Sequence, residues 1–576
     1  MKKKLIEFTN FSFKYNSQQF PTLKDINLTI YKNEKILILG ESGCGKSTLF
    51  NSINGLVPFF YPGEISGNLK INDKDTINMS IFEISKNVAT ILQDTDNQFI
   101  ALTSAEDIAF KLENLCVNSE LMHKKVNNIS NLIGSNDFLN SSPHNLSGGQ
   151  KQRVTLGGAL VDNSEILIFD EPLANLDPKT AEETINLINT ITDKNPKTII
   201  IIEHRLEEVL KLNFDRVLLM HDGKIVFDGE INKLLSTSLL KQCGIREPLY
   251  LTALKYAGCD INENPNLNNI ENLNISSFKD NIKRFYKSLK YTNFHANICS
   301  AHPLLKCENI NFGYKNDKLV LNNLSFDVYN NELLCIVGKN GAGKSTISKI
   351  ICGFLKPSSG KVFLNNKDIT YDTIFQRSSS IGYVMQNPNQ MISNTLLFDE
   401  VAFTLKNMNL HKSEIENRVY DILKICGLYE LRNWPISALS YGQKRRVTIA
   451  SILVSNPKIL ILDEPTAGQD FKHYNQIMEF IQRLKKYNIT SIIITHDMNL
   501  LMEYADRCIV LSDGKKIGDD IPSKILSNEY IIDNANLRKT SLHNISKKLS
   551  LDDTDIFINK FITYDRSTRY KNEVDS

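Results

Sequence analysis

The sequence predicts an α/β fold written twice in tandem, and three observations carry that expectation. Apolar, β-branched runs such as EILIFDEP, KTIIIIEH, KILILDEP and SIIITHD are continuous rather than alternating, as strands buried on both faces of a parallel sheet require. Segments of helical period separate these runs, so helices are expected to cover both faces of the sheet. The same chemistry-bearing segments also recur in the same order. Lys46 and Lys344 stand 298 residues apart, and both Ser147 and Ser440 and Glu171 and Glu464 stand 293 apart.

A chain of 576 residues is too long for one ordinary core, and the offset is far too long for a solenoid repeat, so two full domains are expected. The first runs over 1–245 and the second over 303–540. Residues 246–302 read as a partly helical extension followed by a flexible linker, because NPNLNNIENLNISS is rich in asparagine and broken by Pro265. Roughly 40 flexible residues reach about 35 Å r.m.s., enough to let two compact domains meet. Residues 541–576 read as a polar tail.

Composition excludes several classes. With 67 basic and 65 acidic side chains the net charge is +2, so no overall field favours nucleic acid, and none is expected as a partner. The basic run QKRR at 443–446 continues a helix and does not by itself point to nucleic acid. The ten cysteines are scattered, without C-x-x-C pairs, and several sit in apolar runs, so they read as reduced core thiols. No run approaches the roughly 20 apolar residues of a membrane span.

Two segments match G-x-x-x-x-G-K-[ST], each after an apolar strand and before a helix. The first is GESGCGKST, comprising Gly40, Glu41, Ser42, Gly43, Cys44, Gly45, Lys46, Ser47 and Thr48. The second is GKNGAGKST, comprising Gly338, Lys339, Asn340, Gly341, Ala342, Gly343, Lys344, Ser345 and Thr346. Glycines let backbone N–H groups wrap phosphates, the lysine adds a positive charge, and the serine hydroxyl can ligate Mg²⁺. Asp170 with Glu171, and Asp463 with Glu464, close buried strands. The aspartate can hold Mg²⁺ and the glutamate can polarise an attacking water.

With the pentapeptides LSGGQ (146–150) and LSYGQ (439–443), the chain resembles ATP-binding-cassette (ABC) ATPases over nearly all of both domains. The resemblance implies P-loop NTPase domains, each with a parallel-sheet core, an antiparallel β subdomain and an α-helical subdomain. It also implies ATP and Mg²⁺ as cofactors and roles for matching residues. Tyr15 and Tyr314 would stack on adenine, and Gln93 and Gln386 would act as Q-loop glutamines near Mg²⁺. Asp177 and Asp470 would form D-loops, and His204 and His496 would contact the γ-phosphate. Ser147, Gly149, Ser440 and Gly442 would contact ATP from the pentapeptides. In the family each phosphate loop meets the pentapeptide of the other cassette, so LSYGQ would complete the site built on Lys46. Tyr441 would impair that site only if its position demands a positive φ or if the ring obstructs closure.

The stretches QDTDNQFIALTSAEDIAF and QNPNQMISNTLLFDEVAF are similar to those of energy-coupling factor (ECF) importer ATPases. That likeness implies a peripheral ATPase on the cytoplasmic side of the cell membrane. It would work with an integral membrane coupling subunit and a small membrane protein that captures a vitamin or a transition-metal ion. Two alternatives are a sugar-type tandem importer ATPase and a soluble, ribosome-associated tandem ABC ATPase. The broken, asparagine-rich linker disfavours the latter, which typically joins its cassettes through a long charged helical hairpin.

Overall fold

The computed structural model describes residues 3–574 apart from 175, 195, 263, 265, 291–301, 315–318, 409 and 552. The expected break at Pro265 and the linker stretch 291–301 therefore lie outside the described residues. The chain divides into two units, one reaching to Ile282 together with Asp470–Lys472, the other from Lys283 through Gln469 and from His473 onward.

In the first unit, β1 (Lys4–Tyr15), β2 (Leu23–Tyr31), β4 (Gly63–Ile71) and β5 (Lys74–Asp75) form an antiparallel sheet in the order β2-β1-β4-β5. The other strands are β3 (Lys35–Gly40), β6 (Val88–Ile91), β7 (Ile166–Asp170), β8 (Thr198–Ile202), β9 (Arg216–His221) and β10 (Lys224–Gly229). They make a six-stranded sheet in the order β10-β9-β3-β8-β7-β6, parallel except for β10 at the edge. Every residue of β8 is buried, which is why its sequence TIIII carries no alternation. Between the two sheets lies one core, in which Leu49, Phe50 and Ile53 of the helix after the phosphate loop meet Phe13 and Leu69 on one side and Ile168 and Ile200 on the other.

The second unit repeats this design. Its antiparallel sheet is formed by β11 (Leu305–Phe312), β12 (Leu321–Val328), β14 (Ser359–Leu364) and β15 (Lys367–Asp368), in the order β12-β11-β14-β15. The larger sheet adds β13 (Leu333–Gly338), β16 (Ile381–Val384), β17 (Ile459–Asp463), β18 (Thr490–Ile494), β19 (Arg507–Ser512) and β20 (Lys515–Asp520), ordered β16-β17-β18-β13-β19-β20. Position for position this is the order of the first unit. A helical subdomain follows in each: Ser104–Asn114, Ser119–Ile133 and Gly148–Leu160, then Leu397–Asn407, Lys412–Ile425 and Tyr441–Leu453.

Two segments differ from expectation. The helix Leu249–Tyr256 lies in the stretch expected to be partly helical, whereas the described residues of the expected linker up to 290 are folded, with a helix at Lys279–Ser288 and with Leu267, Leu273, Phe278 and Ile282 buried. Its asparagines form turns: Asn264, Asn269 and Asn274 each accept a backbone N–H from two residues on. Between those turns the leucines point inward, and the Tyr250 hydroxyl donates to Leu267 O at 2.6 Å. The expected polar tail likewise forms helices at Ser541–Leu549 and Thr554–Val574. Phe557, Ile558, Phe561 and Ile562 fall on one helical face and are buried, a periodicity that the charged average of the segment conceals.

Candidate active sites

Each phosphate loop joins a buried strand to a helix. Gly45 (φ 103°) and Gly343 (φ 97°) occupy the left-handed region, and a Cβ on either would lie 2.9 Å from Leu23 or 2.4 Å from Leu321. Only glycine allows the loop this close to the antiparallel sheet. Lys46 is buried and donates to Gly40 O and Glu41 O, both at 2.8 Å; Lys344 donates to Gly338 O at 2.7 Å and Lys339 O at 2.9 Å. Both lysines are thus held inside their loops, while Ser47 and Ser345 are exposed at the helix start. Cys44 is buried in its loop, and burial pushes its thiol up, away from the reactive thiolate. Tyr15 shares a hydrogen bond of 3.0 Å with Thr48, and Tyr314 one of 3.3 Å with Thr346, so both expected adenine-stacking rings lie beside their loops.

The acids and histidines converge at the ends of β7, β8, β17 and β18. His204 Nε2 lies 3.1 Å from Glu171 Oε1, and His496 Nε2 lies 3.2 Å from Glu464 Oε1. Glu171 has φ 46° and Glu464 φ 45°, left-handed conformations that cost on the order of 1–3 kcal/mol for a non-glycine residue and gather at functional sites. Burial pushes Glu171 up, but His204, Lys46 and Arg205 outweigh it and hold the carboxyl below its usual range. Burial, reinforced by the charge of Glu171, raises Asp170 to about 6. Asp463 is also raised by burial, against hydrogen bonds from Tyr383 and Ser345. Gln93 Nε2 donates to Glu171 Oε2 at 2.6 Å. Asp177 is buried and accepts from Thr180 N at 3.0 Å and Thr180 Oγ1 at 2.9 Å; Asp470 is also buried.

The pentapeptide serines cap the signature helices. Ser147 accepts from Gln150 N and Ser440 from Gln443 N, and each glutamine returns a bond to the cap backbone. Gly149 and Gly442 lie in the first turns, close to Thr180 and His473 respectively. Tyr441 is the first helical residue and is absent from the positive-φ positions, so its backbone tolerates a side chain. Its ring is 42% exposed and stands 5.6 Å from the Arg445 guanidinium carbon.

Sequence reasoning missed one feature and left two others without a structural role. A second buried acid, Glu203, precedes His204 and accepts from Leu173 N, His204 N and Arg205 N at 3.1–3.3 Å. Burial and the neighbouring Glu171 raise it to about 7. In the second unit this position is Thr495, whose hydroxyl donates to Glu464 Oε2 at 3.2 Å. The contrast IIEH against IITH was the available signal. The second glutamines after the Q-loops are also not equivalent. Gln98 braces its loop by accepting from Leu92 N and donating to Thr90 O, whereas Gln390 is exposed. Lastly, the acids before I-A-F and V-A-F hold backbone. Asp107 accepts from Ile100 N and Ala101 N, and Glu400 from Ser393 N and Asn394 N.

Beside the first Q-loop lies a cavity of about 640 Å³ lined by Leu56, Phe82, Leu92, Phe99, Phe110 and Val154. Asp107 also lines it, and its Oδ2 has no hydrogen-bond partner among the described residues. On the corresponding face of the second unit Phe354, Ile374, Phe375 and Phe403 are exposed.

The ABC transporter family matches residues 23–174 and 321–467, and a family described as "ATP-binding cassette cobalt transporter" matches 237–312. A relative from Clostridium perfringens, provisionally named an ABC transporter ATP-binding protein, is 53% identical over 99% of this chain and 100% of its own. A relative from Enterococcus faecalis, named in the same terms, is 49% identical over 99% of this chain and 100% of its own. Among solved structures, cbiO1 of Clostridium perfringens, described as part of the ABC transporter complex cbiONQ, is 36% identical. It covers 44% of this chain and all of its own, with a TM-score of 0.39. The chain belongs to the ABC transporter ATP-binding proteins: it is a tandem ATPase whose hydrolysis is coupled to transport.

Proposed function

We propose that the chain is the energy-coupling ATPase of an ECF-type importer, taking up a transition-metal ion or a vitamin. The observation that carries this reading is the cobalt-transporter family match at 237–312, outside the cassette motifs that ABC ATPases share generally. The chain would sit peripherally on the cytoplasmic face of the cell membrane, bound to an integral membrane coupling subunit that works with a small substrate-binding membrane protein. No helix among the described residues is long and apolar enough to cross a membrane. The apolar cavity beside the first Q-loop suits a helix from the coupling subunit that presents apolar side chains.

Within each cassette the residues fit one division of labour. The loop backbone and Lys46 or Lys344 hold the phosphates. Glu171 or Glu464 accepts a proton as water attacks the γ-phosphorus and ADP leaves, and His204 or His496 orients that carboxylate. Ser47, Gln93 and Asp170, and their counterparts Ser345, Gln386 and Asp463, present only oxygen donors. Burial, reinforced by the charge of Glu171, raises Asp170 to about 6, so a cation bound there would favour its charged form. Mg²⁺ fits there and, when bound, would neutralise phosphate charge.

Purification of the tagged chain from gently solubilised native membranes, followed by mass spectrometry, tests the reading. A multi-span subunit together with a small membrane protein is the expected result. Ribosomal proteins without membrane partners would favour a soluble ABC ATPase instead.

A further inference from the structure

Among the described residues Arg445 is the largest fully buried side chain, with 1% of its surface exposed. NH1 donates to Glu464 O at 2.6 Å and NH2 donates to Gln386 O at 2.5 Å. One side chain on the signature helix thus grips the main chain of both the glutamate at the end of β17 and the Q-loop glutamine. Tyr441, one helical turn earlier, lies over the same guanidinium. Burial opposes the charge on Arg445, and Tyr441 and Glu464 support it.

The first cassette is built differently at this position. Gln152 donates to Pro172 O, and its own oxygen accepts from Thr184 at 3.2 Å. There the signature helix meets the Q-loop segment through Lys151 and Asp96, an ion pair of 2.5 Å at the surface. The difference between LSGGQKQ and LSYGQKR is therefore a linked pair of changes: arginine enters at 445 and tyrosine covers it at 441.

We infer that Arg445 is a positioning residue for ATP hydrolysis in the second cassette, holding the backbone of Glu464 and Gln386 to the signature helix so that the three move as one body. Tyr441 shields this grip from water. A guanidinium suits the task because its planar fork serves two carbonyls at once, which a glutamine amide or a lysine ammonium does less rigidly. A displacement of about 1 Å in a group that must meet the attacking water can cost about 100-fold in rate, so the grip bears directly on turnover.

The inference rests on Glu464 as the base, and one set of variants in the full chain separates the two claims. ATP turnover is measured for Arg445→Gln, Arg445→Lys and Glu464→Gln, with ATP binding and thermal unfolding recorded alongside. Arg445→Gln, which installs the residue of the first cassette, is expected to remove most of the turnover that Glu464→Gln removes. Its KM for ATP should stay within about twofold of the original, the signature of an interaction used in the transition state rather than in binding. Arg445→Lys should recover part of kcat. Full kcat in Arg445→Gln while Glu464→Gln is impaired overturns the inference and leaves the base assignment standing. An unimpaired Glu464→Gln overturns both. Loss of ATP binding and a lowered unfolding temperature in both Arg445 variants would assign the side chain to packing alone, and would also overturn it.

Discussion

The two cassettes share strand order, phosphate loops and paired glutamate and histidine, yet they surround those parts with different electrostatics. In the first, Glu171 has a second buried acid beside it, Glu203, and the signature helix reaches the Q-loop segment through the surface pair Lys151–Asp96. In the second, Glu464 has a threonine hydroxyl at the corresponding place, and a buried arginine makes the tie. The segment after His204 or His496 differs as well. Glu503 is buried and pairs with Arg569 of the C-terminal helix at 2.9 Å, while in the first cassette Lys211, on the stretch after His204, pairs with the half-exposed Glu182 at 2.5 Å. The loop lysine, the glutamate and the histidine recur in both cassettes, while the groups that support them differ. Duplicated sites can therefore keep one chemistry while differing in sensitivity to pH and salt.

The largest expected break in this comparison is Arg569→Ala. It removes the cation that pairs at 2.9 Å with the buried Glu503 carboxylate, a class of change that costs about 3–5 kcal/mol. The unfolding transition of the second unit should fall while that of the first stays in place, as differential scanning calorimetry can resolve. A common shift of both transitions would contradict it.

Next comes Glu203. Its folded pKa of about 7 lies above the ordinary carboxylate value, so the native state binds the proton more tightly than the unfolded chain does. This contribution to stability is intact below the unfolded pKa, declines as pH rises toward about 7, and is fully lost above it. Glu203→Gln should therefore flatten the decline of the first unit between pH 5 and 8, stabilising it at pH 8 by up to about 3 kcal/mol. Chemical unfolding at the two pH values checks this, and parallel pH slopes for both proteins would refute the assigned cause.

Removing the helix caps is a smaller perturbation. Ser147→Ala and Ser440→Ala should each cost about 1 kcal/mol of local stability through the lost cap, seen as faster amide exchange in the first turn of the affected helix. The smallest expected effect is that of Lys151→Ala, at most about 1 kcal/mol because the Asp96 partner is exposed. It should shrink further as salt is raised, whereas the Arg445 variants should show no such salt dependence.

The placement of the two glycine-rich loops, of the acids at the strand ends and of His204 and His496 was legible because each follows a run of apolar residues that reads as a buried strand. The buried strands were legible because TIIII and its counterparts leave no polar face. Arg445 was not, because QKRR reads only as a basic run on a helix until the fold turns one of its arginines inward. Nor was the left-handed backbone at Glu171 and Glu464, since nothing in the residue type announces it. The folded part of the expected linker and the C-terminal helices were obscured by polar composition. Their few apolar side chains, such as Leu267, Leu273, Phe557 and Phe561, are spaced to meet a surface that only the folded cassettes provide.

The central claim, that both cassettes hydrolyse ATP through sites held in different ways, is tested most directly by single-site turnover. ATP hydrolysis would be measured for the full chain carrying Glu171→Gln, Glu464→Gln or both. The account predicts that each single variant lowers turnover, to unequal degrees, and that the double variant abolishes it. Unchanged turnover in Glu171→Gln with none left in Glu464→Gln would mean that only the second glutamate works, and would contradict the account.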